Sequence, residues 1–207
     1  MRHGGGTVVQ FYVETTDGLG VTSMFPRSGS ESHALFKVQD GQARTGARHN
    51  LRIIQATADV NFQLDQINRM SNHRFGGTVI FNESEVFYDT GIRLKGASSS
   101  RPSGSHGYNI RFQAAQKFLG IHQTITVDRN NVPEFLIKHL NNRVNDVPSM
   151  YNDAVYLIDP ASSSKNGVFQ LRLAGYGDVY LDEQFGDGAT GMLIDKEIIY
   201  RPNGTNG

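Results

Sequence analysis

The stretch Tyr88-Asp-Thr-Gly-Ile-Arg-Leu-Lys-Gly-Ala-Ser-Ser-Ser-Arg101, followed by Gly107-Tyr-Asn-Ile-Arg-Phe112, decides which fold this chain can adopt. Both pieces alternate apolar and polar residues, which predicts two paired strands with one apolar face. The other face carries Arg93, Lys95 and Arg111, and the connecting loop is rich in Ser and Gly. Fixed cations beside flexible backbone donors suit a phosphate or another anion. The alternative interpretation is a solvated β-hairpin with a long polar loop.

The composition is that of a globular protein with one sizeable core. Of the 207 residues, 38% are hydrophobic and 19% charged, and the 23 glycines favour turns and short strands. Twenty basic and twenty acidic side chains cancel, so the overall charge gives no argument for nucleic acid or an anionic membrane. The chain has no cysteine, which excludes disulfides and Cys-ligated metal centres. No apolar run approaches the roughly 20 residues of a membrane span.

Shifts in composition along the chain predict four segments. Residues 1–26 contain an alternating strand that begins abruptly, and residues 27–32 are predicted to be a linker. Residues 33–200 form the main predicted domain, and residues 201–207 are a polar tail. The predicted helices are 58–70 and 132–144, and the strands of the domain are 33–38, 51–56, 78–81, 86–95, 108–112, 124–127, 155–158 and 167–174. The predicted fold class is α+β, a twisted antiparallel sheet with one or two packed helices.

Other chemistry finds little support in the residue pattern. The seven histidines are scattered, and neither a Gly-x-Ser-x-Gly elbow nor a Walker-type phosphate loop is present. An acidic run around Glu183 could hold calcium, but its spacing differs from an EF-hand loop and a solvated loop is the simpler interpretation. Glu134, in the first turn of the second predicted helix, is most simply a favourable charge at a helix N-terminus.

The order of several motifs resembles the spore-coat CotH kinase family, a group of atypical protein kinases. Thr90-Gly-Ile-Arg-Leu-Lys-Gly-Ala-Ser-Ser99 is similar to the family's Val-Gly-Ile-Arg-x-Arg-Gly-Asn-Ser-Ser, and Tyr108-Asn-Ile-Arg-Phe112 to its Tyr-Lys-Ile-Lys-Phe. Gly177-Asp-Val-Tyr-Leu-Asp-Glu-Gln184 resembles its Gly-x-Tyr-x-Leu-x-Glu-Gln. Further matches in the same order are Phe118-Leu-Gly120, Glu134-Phe-Leu-Ile-Lys-His-Leu-Asn-Asn-Arg143, Val147-Pro-Ser149 and Val155-Tyr-Leu157. Together the matches run from about residue 75 to residue 200.

This resemblance implies the small, nucleotide-covering lobe of a kinase-like fold. In that setting Arg93, Lys95 or Arg111 would contact the phosphates of ATP, and Glu134 or Glu183 would orient a cation or help to hold Mg²⁺. Phosphoryl transfer is catalysed largely by electrostatic positioning, so such residues would have a defined task. The full-length parent would phosphorylate Ser or Thr of a surface or coat protein.

The resemblance also implies that this chain is a fragment. The family's Asn-x-Asp and Trp-Asp-x-Asp motifs, which supply the catalytic base and metal ligands, are expected beyond Tyr200, so we expect the chain alone to be inactive and its missing partner to be the C-terminal lobe. Residues 1–26 resemble the end of an immunoglobulin-like or fibronectin-like module. Such modules precede CotH-like regions in large bacterial surface proteins that also carry lamin-tail-like domains, which implies an extracellular or cell-surface location.

The competing hypothesis is a non-catalytic, β-rich extracellular module for adhesion or glycan binding. Its sugar-stacking residues would be Tyr88, Tyr108, Tyr151 and Tyr176. Tyrosines at strand positions are more often packed within the sheet than exposed to a ligand. The two hypotheses differ in whether the cations on the hairpin converge on one site.

Overall fold

The structure is a computed structural model that describes residues 3–46, 49–96, 101, 106–128, 132–144 and 152–173. Its first elements are four short strands, β1 (Val8–Gln10), β2 (Val13–Thr16), β3 (Thr22–Phe25) and β4 (Leu35–Lys37). β1 pairs with β4 and β2 pairs with β3, in two separate antiparallel ladders. The predicted linker at residues 27–32 lies between β3 and β4 and contains a single turn of 3-10 helix, Gly29–Glu31. The assignment of residues 1–26 to a preceding module stays a prediction.

Seven further strands close into a barrel. They are β5 (His49–Ile54), β6 (Phe75–Phe81), β7 (Glu85–Lys95), β8 (Gly107–Arg111), β9 (Thr124–Asp128), β10 (Asn152–Ile158) and β11 (Gly167–Arg172). Around the barrel their order is β10-β11-β9-β8-β7-β6-β5. The ring is closed by a parallel pair between β5 and β10, and the other neighbours are antiparallel.

Alternate side chains of these strands fill the barrel interior, as expected for a small closed barrel. The buried apolar residues of this core include Leu51, Ile53, Val79, Phe87, Ile92, Leu94, Ile110, Ile125, Val127, Val155, Leu157 and Leu171. Burial of one such side chain is worth about 1.5–3 kcal/mol. Because the chain has no disulfide, this packed interior and the strand ladders hold the fold together.

In the described residues two α-helices accompany the strands, α1 (Thr57–Leu64) and α2 (Val132–Val144). The bounds of α2 confirm the prediction for 132–144. The prediction of a helix over 58–70 is too long, because the chain turns extended at Asp65 and its carboxylate accepts the backbone N–H of Ile67 at 2.9 Å. An aspartate that captures a nearby N–H in this way ends the helical hydrogen-bond pattern. Neither helix within the described residues is long and apolar enough to cross a membrane.

The predicted fold class is wrong in its architecture. The strands of the predicted sheet are present, but they form a closed seven-stranded barrel rather than an open twisted sheet backed by helices. The closing pair joins Leu51 of β5 to Leu157 of β10, two segments far apart in sequence. Local alternation of apolar residues reveals each strand and its buried face, but it carries no information about which distant strands pair. A kinase small lobe is therefore not the fold of the described residues.

Candidate anion-binding site

The outer face of β7 and β8 carries the cations that the sequence places there. Ile92 and Leu94 of β7 are buried in the barrel, so Arg93 between them points outward. On β8, Ile110 is buried and Arg111 is exposed. Arg93 stands opposite Asn109 and Arg111 stands opposite Gly91, which makes the two arginines diagonal neighbours across the strand pair. Diagonal positions lie about 7–8 Å apart, within reach of long side chains.

A third arginine, Arg74, lies across the same face. It precedes β6, and its side chain runs over Gly91, where an added Cβ would stand 3.2 Å from the Arg74 Cδ. The Arg74 Nη1 donates to the carbonyl oxygens of Gly91, at 3.1 Å, and Asn109, at 3.0 Å. Its Nη2 donates to the Asn109 side-chain oxygen. A glycine in the middle of β7 thus gives Arg74 the space to cross the strand.

A fourth arginine, Arg101, is held from the other end of the face. It is only 4% exposed, and it donates to the carbonyl oxygens of Gly96, at 2.7 Å, and Ser71, at 2.8 Å. Its Nη2 also donates to the side-chain oxygen of Asn72 at 2.7 Å. Arg93 donates to that same Asn72 oxygen at 2.8 Å, so one amide joins two guanidinium groups. We call Arg74, Arg93, Arg101 and Arg111 the arginine cluster.

The arginine cluster carries positive charge that no acidic side chain balances within the described part of the chain. Among the residues that the structure describes, none of its four members forms an ion pair with a carboxylate. Burial, together with the charges of Arg93 and Arg111, lowers the pKa of Arg74 below its ordinary value. Burial and the charge of Arg93 lower the pKa of Arg101 in the same way. Mutual repulsion among partly buried guanidinium groups makes this face favourable for an anion.

Lys95 and Glu134, two further residues predicted for the site, belong to a different arrangement. The Lys95 ammonium binds the Asp128 carboxylate, so its charge is compensated. Asp128 also lies 3.3 Å from Arg172, whose Nη2 donates to Glu134 at 2.5 Å. These contacts fasten the first turn of α2 to the outer face of β9 and β11. Lys138 donates to the same Glu134 oxygen at 2.6 Å.

The structure therefore brings together only part of the predicted site. Arg93 and Arg111 lie in the arginine cluster, whereas Lys95 and Glu134 are engaged in ion pairs, and Glu183 lies outside the described residues. Arg74, Arg101 and the supporting amides of Asn72 and Asn109 were missed. The one local signal is Gly91 within the alternating pattern of β7, and it points to Arg74 alone, because a glycine inside a strand often marks a close approach by another group.

The described residues fit the phosphates of the implied cofactor, ATP, but not its magnesium ion. Guanidinium groups bind phosphate oxygens well, often through two parallel hydrogen bonds, so the arginine cluster suits the phosphates of ATP. Magnesium prefers carboxylate oxygens and water. Glu134 already accepts from two cations, and within the described ranges no group of three His, Asp or Glu residues could hold a metal ion. These residues do not fit a magnesium ion.

Two other polar features of the barrel are poor candidates for a binding site. One is a cavity whose charged residues pair with one another, and the other is a tyrosine buried in the core. A cavity of 440 Å³ is lined by Lys37, Asp40, Arg52 and Glu83, but these opposite charges pair with one another. Tyr108, one of the proposed sugar-stacking residues, is 2% exposed and donates to Asp159 at 2.8 Å. Burial and the Asp159 carboxylate raise its pKa well above the ordinary value. Tyr108 is therefore a barrel-core residue and is not available to a ligand.

The remaining tyrosines of the adhesion hypothesis do not form a stacking surface in the described part of the chain. Tyr88 packs edge-on against Phe11 and Phe25, with ring centroids 5.6 and 5.8 Å apart. Tyr151 and Tyr176 lie outside the described residues. The arginine cluster is thus the place on the described surface where the sequence-based expectations converge.

Comparison with known proteins adds no family assignment. No model of a protein family matches this chain, and no curated protein matches it. The resemblance to the CotH kinase family consequently rests on the order of the quoted motifs alone, and it stays a hypothesis.

Proposed function

We propose that this chain binds the phosphate groups of ATP through the arginine cluster, as part of a CotH-like atypical protein kinase. The single observation that supports the proposal is that Arg93 and Arg111 converge with Arg74 and Arg101 on one face without a carboxylate partner in the described residues. The ordered motifs around the same strands add the likeness to a nucleotide-dependent family. The proposal concerns binding and does not require the open-sheet fold that the barrel replaces.

In the proposed parent protein, ATP supplies the γ-phosphoryl group for transfer to Ser or Thr of an extracellular or coat protein. The task of this chain is to bind and orient the phosphates. Arg93 and Arg111 donate hydrogen bonds to phosphate oxygens, and Arg74 adds positive charge from across Gly91. Electrostatic positioning of this kind is the main protein contribution to phosphoryl transfer. The catalytic base and the metal ligands are expected from the C-terminal lobe.

Calorimetric titration of ATP, with and without Mg²⁺, tests the proposal. We expect binding that weakens at least about tenfold in Arg93→Ala and again in Arg111→Ala, because a hydrogen bond to a charged group is worth about 1.5–3 kcal/mol. Arg27→Ala is the matched control, since Arg27 is exposed and is not a member of the arginine cluster, and it should bind as the unmodified chain does. If ATP binds Arg93→Ala and Arg111→Ala as tightly as it binds the unmodified chain, the arginine cluster is not the ATP site and the proposal is wrong.

A further inference from the structure

The arginine cluster is organised by neutral amides, whereas two other arginines of the barrel, Arg52 and Arg172, are bound by carboxylates. The Asn72 oxygen accepts from Arg93 and Arg101, and the Asn109 oxygen accepts from Arg74. By contrast, Arg52 is bound by Asp40 and Glu83, and Arg172 is bound by Asp128 and Glu134. The amides leave the positive charge of the arginine cluster uncompensated, whereas the carboxylates compensate the charges of Arg52 and Arg172.

An amide and a carboxylate hold a guanidinium group in similar geometry but differ in charge. Asn109 is itself fixed, since its Nδ2 donates to the Thr126 hydroxyl at 2.9 Å, which leaves its oxygen aimed at Arg74. Arg101 is fixed by the backbone carbonyls of Arg69 and Ser71, just before Asn72, and by the Asn72 side chain itself. The guanidinium groups of Arg74, Arg93 and Arg101 are therefore pre-positioned without being neutralised, which lowers the ordering cost of binding an anion.

The number and spread of the charges bear on the size of the anion. Four guanidinium groups extend from Arg111 on β8, across Arg93 on β7, to Arg101 beyond the end of that strand. A single phosphate group carries about −1.5 to −2 charges at neutral pH, which balances at most half of this set. A chain of linked phosphates balances more of the charge and can contact both strands at once.

We infer that the arginine cluster recognises an anion with two or more linked phosphate groups through the phosphates alone, and that Asn72 is the positioning residue that keeps the cluster charged. The inference shares its site with the proposed function and rests on it for the identity of ATP as one such ligand. It adds the class of anion and the roles of Arg74 and Arg101. It also identifies Asn72 as the residue whose lack of charge leaves the cluster able to bind an anion.

Asn72→Asp tests the inference, because it keeps the shape of the side chain and adds one negative charge between Arg93 and Arg101. Calorimetry would compare inorganic tripolyphosphate with orthophosphate, both without a nucleoside. The unmodified chain should bind tripolyphosphate at least about tenfold more tightly than orthophosphate, and Asn72→Asp should lose at least about tenfold in tripolyphosphate affinity. The Tm of the unliganded variant should rise by about 2–4 °C, because a negative charge between Arg93 and Arg101 offsets the repulsion between them.

Further arms make the result decisive. Asn72→Ser removes the bridge without adding charge, so it should weaken binding less than Asn72→Asp does. Arg111→Gln changes an exposed side chain, so it should fold normally and should weaken tripolyphosphate binding if Asn72→Asp fails to fold. Equal affinity for tripolyphosphate and orthophosphate, or full tripolyphosphate affinity in Asn72→Asp or Arg111→Gln, would overturn the inference.

An ATP competition separates this inference from the proposed function. ATP that binds Asn72→Asp as tightly as the unmodified chain would overturn the inference while leaving nucleotide binding in place at another site. Tripolyphosphate that binds through the cluster but is not displaced by ATP would overturn the proposed function and, with it, the assignment of recognition to the phosphates alone.

Discussion

Arg93 and Lys95 stand two positions apart on the same face of β7, yet only Lys95 meets a carboxylate, that of Asp128. The difference arises from their neighbours on β8, which place Asn109 opposite Arg93 and Gly107 opposite Lys95. Where Gly107 offers no side chain, Lys95 reaches past it to the next strand. Sequence alone indicates that both residues point outward, but the choice of partner depends on strands that only the folded barrel brings together.

A second residue-scale contrast is Arg52, whose charge is fully compensated. Its side chain is 8% exposed, and it donates to Asp40 at 2.8 Å and to Glu83 at 3.1 Å. Burial by itself would raise the pKa of Asp40, but hydrogen bonds from Arg52, the Gln42 backbone N–H and Lys37, together with the Arg52 charge, bring it below its ordinary value. Arg52 itself is held charged by these two carboxylates.

Replacement of Arg52 should destabilise the protein in a manner that depends on pH. We expect Arg52→Met to lower the free energy of unfolding at pH 7 by about 3 kcal/mol, since it leaves the buried Asp40 with Lys37 as its remaining cation. A lowered folded-state pKa means that the pair stabilises the fold above the unfolded pKa near 3.8 and that this contribution is lost as pH falls through the folded value.

Urea unfolding of both proteins from pH 7 down to pH 3 is the measurement. The stability difference between the unmodified chain and Arg52→Met should shrink as the solution becomes acidic, because a protonated Asp40 no longer needs a cation. If the difference in the free energy of unfolding stayed constant over this pH range, Arg52 would not act by pairing with the Asp40 carboxylate. Arg143→Met, on the exposed side of α2, should show no such difference at either end.

At the scale of single elements, β7 combines a packed inner face with a binding outer face. Its alternating pattern, and that of the other barrel strands, is predictable from sequence because the period of two is local. The bounds of α2 are predictable for a similar reason, since Pro133 suits the first helical turn and Glu134 suits its positive end. The position of Arg74 is not, because its side chain crosses from one element to another over Gly91.

Gly91→Val tests whether β7 must leave room for Arg74. A Cβ at this position would already lie 3.2 Å from Arg74 Cδ and 3.4 Å from its Cβ, so the added methyl groups should displace that side chain. We expect tripolyphosphate affinity to fall about tenfold, while the Tm stays close to that of the unmodified chain because valine suits a strand.

The matched control for this change is Gly167→Ala in β11. A Cβ there would stand 3.8 Å from the ring of Phe169, an ordinary contact, so both affinity and Tm should be unchanged. Calorimetry and thermal melts on the three proteins give the comparison. Unchanged affinity in Gly91→Val would mean that Arg74 contributes nothing to the anion site.

At the scale of the whole molecule, closure of the barrel is what the sequence could not reveal. The parallel ladder that pairs Val155 with His49 and Leu157 with Leu51 converts a row of antiparallel strands into a ring. The antiparallel neighbours mostly follow one another in the chain, whereas this pair spans about half of it. Closure removes the two open edges that an unclosed sheet would have, and it turns the face of β7 and β8 outward as a rigid surface.

The outer face of the closed barrel explains how four arginines that have no acidic partner among the described residues can persist. The side chains of Arg74, Arg93 and Arg101 are fixed by backbone carbonyls, by Asn72 and by Asn109, and these groups are themselves anchored in the barrel strands or the segment before β6. Strain of this electrostatic kind lowers the stability of the unliganded protein and is relieved by a bound anion. An anion ligand should therefore stabilise the fold in proportion to its concentration.

The most direct test of this account is amide chemical-shift mapping of the ¹⁵N-labelled chain during titration with tripolyphosphate. If the arginine cluster binds the anion, the largest shift changes should fall on the amides of Asn72, Arg93, Asn109 and Arg111 and on those next to Arg101 in the sequence. These shift changes should disappear in Asn72→Asp. Residues around the paired charges of Arg52 should stay unperturbed and serve as the internal control. Shift changes centred on Arg52, or the same pattern of changes in Asn72→Asp, would contradict anion binding by the arginine cluster.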